Sequence, residues 1–258
     1  MKKKEIIKNL LEKQTIKFLL ITLIKWGNLT QEQMANLCQI SVKQVQRILE
    51  ACGARHNDVS DKGLNLVVYK EYPFSTKRLY AATTYAQRHL GSTKEIKDDN
   101  KKKLIPRFST IFNFTDAEHT EFCIKALLKE FNGRTIKLSE YRTAREMAYM
   151  WSDVFKEIKD IWYAGVSDRK PDLIVWNKEL DGWICIEIEL TPKSVKRMRI
   201  ILRSLHALGD YAKGFKQVKI YANEKTIVYK KWSNVLNFVD ENDRPSDLHL
   251  LKLHELLN

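Results

Sequence analysis

A mixed α/β (α+β) protein in two parts is what this sequence predicts: an N-terminal winged helix-turn-helix domain, then a larger domain of helices around a small central sheet. Three observations carry the prediction. Two short amphipathic segments, Gln31 to Cys38 and Ser41 to Ala51, flank a tight turn. A polar, charged stretch that lacks aromatic residues follows at residues 92–105. Beyond it lie two strand-like apolar segments, Lys170 to Val175 and Trp183 to Leu190, the second of which carries Glu187 and Glu189 on one face. The expected division is 1–91 for the winged-helix domain, 92–105 for the linker and 106–258 for the second domain.

Composition narrows the function classes. The 258 residues suffice for one or two domains. Lys and Arg number 45 against 32 Asp and Glu, a formal charge of +13. That excess favours an anionic partner, with nucleic acid ahead of a membrane surface. Residues 1–105 hold 20 of the cations and 10 of the anions, so most of the excess lies there. Cys38, Cys52, Cys123 and Cys185 form no metal-binding spacing and sit in apolar patterns, which predicts reduced thiols in a cytoplasmic protein. The basic start, Met1 to Lys4, is followed by no apolar core or cleavage site of a targeting segment. The longest apolar run, Phe18 to Ile24, is too short to span a bilayer, so no membrane insertion is expected.

Taken in order, Ile6, Ile7, Leu10 and Leu11 have helical spacing, and Thr15 to Trp26 is apolar enough to be the central helix of a small bundle. Gly27-Asn28 stops it. Thr30 with Gln33 spells a capping box, and Ser41 caps the next helix, which ends at Gly53. Ala35, Leu37, Ile40, Val45, Ile48 and Leu49 are the expected core of this helix-turn-helix. Its outer face carries Lys43, Gln44, Gln46 and Arg47, side chains of the kind that read base edges and phosphates. Leu64 to Tyr69 and Lys77 to Tyr80, joined at Pro73, read as the two strands of a wing, with Lys70, Lys77 and Arg78 placed to lie along a DNA backbone. A module that mediates protein contacts instead is the alternative.

In the second domain a helix capped by Thr115, with Glu118 at the third position and His119 in its first turn, runs to Asn132-Gly133. A short strand is expected over Thr135 to Leu138, then a helix starting near Ser139-Glu140, and later the acidic hairpin with Asp181-Gly182 at its turn. A basic helix from Ser194 to Lys213, a strand over Gln217 to Tyr221, a helix from Asn223 to Leu236 and a helical segment from Leu248 to Leu256 complete the chain.

Strand alternation puts Ile184, Ile186, Ile188 and Leu190 on one face and Glu187 and Glu189 on the other. Two carboxylates on an apolar strand need a compensating partner, and a hard divalent cation is one. Asp172 opens the partner strand and reaches the same end of the hairpin. Nearby lysines are the alternative partners for all three acids, Lys193 and Arg197 for Glu189.

Pro171-Asp172 followed by Glu187-x-Glu189 resembles the PD-(D/E)XK nuclease core, in the variant with a second glutamate where lysine is usual. More broadly, the winged-helix half, the helix opening at His119, Ser139-Glu140 with Arg142, Arg169-x-Pro171-Asp172 and Glu187-x-Glu189-Leu190-Thr191-x-Lys193-Ser194 resemble the replication–relaxation family, most of all its MOBC-class plasmid relaxases. The resemblance covers most of residues 15–215. It implies a PD-(D/E)XK restriction-endonuclease-like fold for the second domain. It implies an endonuclease that nicks one strand of double-stranded plasmid DNA at a transfer origin, with Mg²⁺ or Mn²⁺, to start conjugative mobilization. An accessory relaxosome protein and a coupling protein are the implied partners. By carry-over, Asp172, Glu187 and Glu189 are catalytic residues or metal ligands, Lys193 is the phosphate-facing lysine, and His119 and Glu140 stand at the rim. A covalent route would need a tyrosine, and Tyr141, Tyr149 and Tyr163 lie in the right domain. Two other readings remain: a non-catalytic DNA-binding regulator of plasmid replication or transfer, and a double-strand endonuclease.

Overall fold

The computed structural model describes residues 9–10, 12–56, 65–90, 117–149, 171–211, 215–239, 245 and 247–257. The expected linker, the cap at Thr115, Arg169, Tyr163, and the apolar residues Ile6, Ile7, Leu11 and Leu64 lie outside them. The protein is a mixed α/β chain with two sheets, and it divides into two compact units, Met1–Glu118 and His119–Asn258. Among the described residues no helix is long and apolar enough to cross a membrane.

In the first unit, helix α1 (Gln14–Trp26) buries Ile16, Leu19, Leu20, Ile21, Leu23 and Ile24, as its nearly continuous apolar sequence requires. Gly27 ends it at φ +89°, donating its N–H to the Leu23 carbonyl. Helix α2 (Gln31–Cys38) starts at a complete capping box, in which Thr30 Oγ1 accepts the Gln33 N–H and Gln33 Oε1 accepts the Thr30 N–H. The turn closes on Gln39 in the left-handed region, and helix α3 (Val42–Ala51) starts at a second capping box, Ser41 with Gln44. Of the expected core, Ala35, Leu37, Val45 and Leu49 are buried, Ile40 and Ile48 are half-buried, and Met34 joins them.

Strand β1 (Arg55–His56) pairs parallel with β2 (Val67–Glu71), which pairs antiparallel with β3 (Arg78–Ala82). An isolated antiparallel bridge joins Leu29 to Tyr80. Helix α4 (Thr84–Leu90) follows β3, capped by Thr83 Oγ1, which accepts the Ala86 N–H.

The second unit is built on a five-stranded sheet of order β4-β5-β6-β7-β8. Helix α5 (Ala117–Phe131) leads to a 3₁₀ turn (Leu138–Glu140), β4 (Tyr141–Thr143) and α6 (Ala144–Tyr149). Then come β5 (Leu173–Asn177), β6 (Gly182–Glu189), α7 (Val195–Tyr211), β7 (Phe215–Ala222), α8 (Ile227–Phe238) and β8 (Leu248–Lys252). The pairs β4–β5 and β5–β6 are antiparallel; β6–β7 and β7–β8 are parallel. A parallel pair needs a crossover, and α7 supplies it between β6 and β7. Met198, Ile201, Leu202 and Leu205 of α7, with Val228, Trp232 and Val235 of α8, pack on Ile174, Cys185, Val218 and Ile220 of the sheet.

Several expectations are corrected here. Thr135–Lys137 is not a strand, and no helix starts at Ser139. The segment is a 3₁₀ turn and then a strand, because Tyr141 and Thr143 are buried against Val175 and Leu173 in the β4–β5 ladder. The helix cap is Thr143: its Oγ1 accepts the Glu146 N–H, and the Glu146 carboxylate accepts the Thr143 N–H. The segment expected to be a helix at the end of the chain is β8 followed by a 3₁₀ turn (Leu253–Leu256), since pairing to β7 outweighs local helical spacing. Helix α8 begins after Thr226 rather than at Asn223, whose side chain organises a turn by accepting the Lys225 N–H. In the β5–β6 hairpin Asp181 takes φ +46° while Gly182 is already in the strand, paired with Asn177.

Candidate functional site

The antiparallel register Leu173↔Ile186 puts Asp172 opposite Glu187 at the open end of the β5–β6 hairpin. The Asp172 backbone N–H donates to Glu187 Oε2 at 3.1 Å, and Asp172 Oδ2 accepts the Ile188 N–H at 2.9 Å. The two acids are therefore locked side by side. Alternation along β6 places Glu187 and Glu189 on the face that carries Cys185, the face covered by α7 and α8. Both glutamates are buried, at 1% and 0% exposure. An acid buried so completely must be paired or hydrogen-bonded.

His119 Nε2, from the start of α5, lies 3.1 Å from Asp172 Oδ2. Lys193 follows β6 and bonds the Glu189 carboxylate through its Nζ. Cys123 Sγ stands 3.7 Å from His119 Nδ1, one helical turn on. Burial alone would raise the Asp172 carboxyl, but the hydrogen bond and charge of His119, the bond with Glu187 and the Ile188 amide outweigh it and hold it below its ordinary value. The same site drives the Cys123 thiol well above its ordinary value, first by burial and then through the negative charges of Asp172 and Glu187. Cys185 is pushed up for the same reasons, burial and Glu187. Neither is an activated thiolate.

Glu140 does not join this group. The 3₁₀ turn feeds β4, whose Tyr141 faces Val175, so Glu140 points toward the turn end of the hairpin, near Lys178. From position 172 to position 176 a strand advances about 13 Å. There Glu140 faces Arg134, Lys137 and Lys178 at 3.9, 3.8 and 3.6 Å. The acid that does sit by the start of β5 is Glu146, buried at the head of α6, where the Ala144 N–H bonds the Asp172 carbonyl. Thr143-x-x-Glu146 spells a capping box and is the signal that would have found it. Tyr141 is buried in β4.

The donor chemistry, carboxylate oxygens on rigid strands, fits a hard divalent cation. Asp172 and Glu187, side by side, are the two acids that could hold such an ion. Among the described residues no group of three or more His, Cys, Asp or Glu side chains gathers so as to hold a metal ion. Mg²⁺ takes one or two carboxylates and completes its shell with water and phosphate oxygens, so the pair matches that ion in kind. Glu189 is committed to Lys193 instead.

Set beside family models, curated proteins and solved structures, the chain matches none. The functional reading rests on its own residues.

In the first unit, Lys43, Gln46 and Arg47 are exposed on α3. Gln44 is not available as a reader in the same way: its Oε1 accepts the Ser41 N–H and lies 3.1 Å from Ser41 Oγ, as the third residue of the capping box. Gln46 shares a cleft of ≈ 340 Å³ with Gln31, Thr76, Lys77 and Arg78. Lys77 is exposed at the β2–β3 turn, while Arg78 is held by Glu71, Nε to Oε1 at 3.1 Å, and stacks 4.4 Å over the Tyr69 ring.

Proposed function

We propose that this chain is a metal-dependent DNA endonuclease that nicks one strand at a plasmid origin of transfer. In this reading the first unit is a winged helix that docks on duplex DNA, and the second carries a PD-(D/E)XK-like core of the replication–relaxation, MOBC-class kind. The observation that carries it is the pairing of Asp172 with Glu187 at the open end of the central hairpin, with Glu189 buried two residues on and Lys193 beside it. The element order also supports it: helix α5, strand β4, the short helix α6, the β5–β6 hairpin, a crossover helix and a parallel strand, with Asp172 at the start of β5 and Glu187 and Glu189 on β6.

Asp172 and Glu187 would hold Mg²⁺ or Mn²⁺, which supplies an activated water and stabilises charge on the phosphodiester. Lys193 would present an ammonium to the scissile phosphate by turning from Glu189. His119, bonded to Asp172, fixes the orientation of that carboxylate. Lys43, Gln46, Arg47 and Lys77 form the docking face. An accessory relaxosome protein and a coupling protein in the cytoplasm complete the proposal.

A second reading has its own observation. His119 on Asp172 and Lys193 on Glu189 neutralise the acids as a non-catalytic scaffold would. That reading is a DNA-binding regulator of plasmid replication or transfer. One assay separates them: supercoiled plasmid carrying its cognate transfer origin, incubated with the full chain and Mg²⁺ or Mn²⁺. Conversion to open circle is expected. Binding with no conversion under any divalent metal selects the regulator, and linear product selects a double-strand endonuclease.

A further inference from the structure

Phe74 is the most conspicuous surface residue of the first unit. It sits in the β2–β3 turn at φ +57° and is fully exposed, at 110% of its reference area. Both facts run against ordinary turn chemistry. A turn position with positive φ takes glycine or asparagine, because a Cβ clashes there with the backbone. An aromatic ring in water forgoes the burial that is its main contribution to stability. The turn is nonetheless well tied: the Tyr72 N–H donates to the Lys77 carbonyl at 2.9 Å, the Ser75 N–H to the Tyr72 carbonyl at 3.2 Å, and the Lys77 N–H to Ser75 Oγ at 3.1 Å. The ring is thus held outward on a hydrogen-bonded turn. Strained residues of this kind collect at ligand clamps.

The surroundings decide the ligand class. Lys70 and Lys77 are exposed around the turn; the cleft beside it is lined by Gln46, Lys77 and Arg78 with one acid, Glu32, and Arg78 is paired with Glu71. An apolar ring framed by cations suits a polyanion with an apolar interior, which describes duplex DNA: phosphates outside, stacked bases within. We infer that Phe74 is a wedge that enters the minor groove beside the site docked by α3 and partly unstacks one base step. The inference rests on the DNA-docking half of the proposed function and adds to it a deformation of the duplex. Nicking at a bent, partly unstacked site needs less melting by partner proteins.

The test uses the full chain in EDTA, so that cleavage does not interfere, and a short A·T-rich duplex with 2-aminopurine at several steps and a separate anisotropy label. The wild type should bind and raise 2-aminopurine fluorescence several-fold. Phe74→Leu should keep the rise. Phe74→Ala and Phe74→Gly should still bind but lose it, and Phe74→Gly should melt at a higher temperature than the wild type, because glycine accepts the positive φ. Binding by the wild type with no rise, or a rise that survives in Phe74→Gly, overturns the wedge and leaves DNA docking standing. No binding by any form sinks the docking reading itself. Phe74-dependent sedimentation with phosphatidylserine vesicles, without unstacking of the duplex, assigns the ring to a membrane surface and likewise overturns the wedge.

Discussion

Replacing Asp172 with asparagine separates the chemistry of the acid pair from its structural role. The Asp172 carboxylate accepts the Ile188 N–H at 2.9 Å and faces His119 Nε2 at 3.1 Å. Asparagine keeps an oxygen for the Ile188 amide, so no buried donor is orphaned. What is lost is the charge assistance of those bonds, worth about 1 kcal/mol each, or about 1–2 kcal/mol of stability in all. Asp172→Ala also strands the Ile188 N–H and should cost about 1–3 kcal/mol more. If the chain is the proposed endonuclease, the effect on cleavage should be far larger. A carboxylate that binds the metal against the scissile phosphate underlies several kcal/mol of transition-state stabilisation, and each 1.36 kcal/mol is about tenfold in rate. Plasmid nicking by Asp172→Asn should therefore fall by roughly 10³-fold or more. The assay is supercoil-to-open-circle conversion at saturating Mg²⁺ and then Mn²⁺, with duplex binding by anisotropy and thermal melting on the same preparation. Nicking within tenfold of wild type, in a protein that melts and binds normally, would refute the metal-ligand role. Loss of DNA binding along with nicking would mean that the carboxylate is structural.

Four further outcomes are expected. Ser41→Ala removes a hydroxyl that accepts the Gln44 N–H at 3.2 Å, and should cost about 1 kcal/mol in denaturant unfolding while leaving the salt dependence of DNA binding unchanged. Arg47→Ala should do the reverse, lowering the slope of log K against log salt by about one with no loss of stability; a shared phenotype for the two variants would contradict the division between cap and phosphate contact. Trp232 is fully buried between α8 and the sheet, and among the described residues its indole N–H finds no hydrogen-bond partner. Trp232→Ala should cost about 3–5 kcal/mol, but Trp232→Phe only about 1–2, because the orphan donor goes with the lost volume; equal costs in urea titrations would show that the N–H is satisfied in solution. The fourth concerns pH. Asp172 titrates below its ordinary 3.8, and a carboxyl so depressed contributes stability that is complete above the unfolded value and lost as pH falls through the folded one. Stability should be level with respect to this group above about pH 5 and decline below about pH 4, and Asp172→Asn should make that acid limb shallower. An identical acid limb in the variant would argue against the depressed carboxyl.

The helix-turn-helix and the acidic hairpin were legible in the sequence because the signals are local. Thr30 with Gln33 and Ser41 with Gln44 are capping boxes three residues wide, and Gly27 and Gly53 stop helices with their own backbone freedom. Alternation over Trp183 to Leu190 likewise fixes which side chains share a face, and that is why Glu187 and Glu189 point together. Tertiary structure decided everything that depends on a partner strand. Tyr141–Thr143 and Leu248–Lys252 carry no alternation strong enough to mark them, and they become strands because β5 and β7 offer unpaired edges. That choice sends Glu140 to the turn end of the hairpin and brings Glu146 to the other. It is register, too, that sets Asp172 against Glu187 and delivers His119 to Asp172 from a helix more than fifty positions earlier in the chain. Spacing along a chain reports faces and ends of elements; which charges meet is settled only when hydrogen-bonded ladders choose their register, because a one-residue slip of β6 would turn Glu187 and Glu189 to the opposite face.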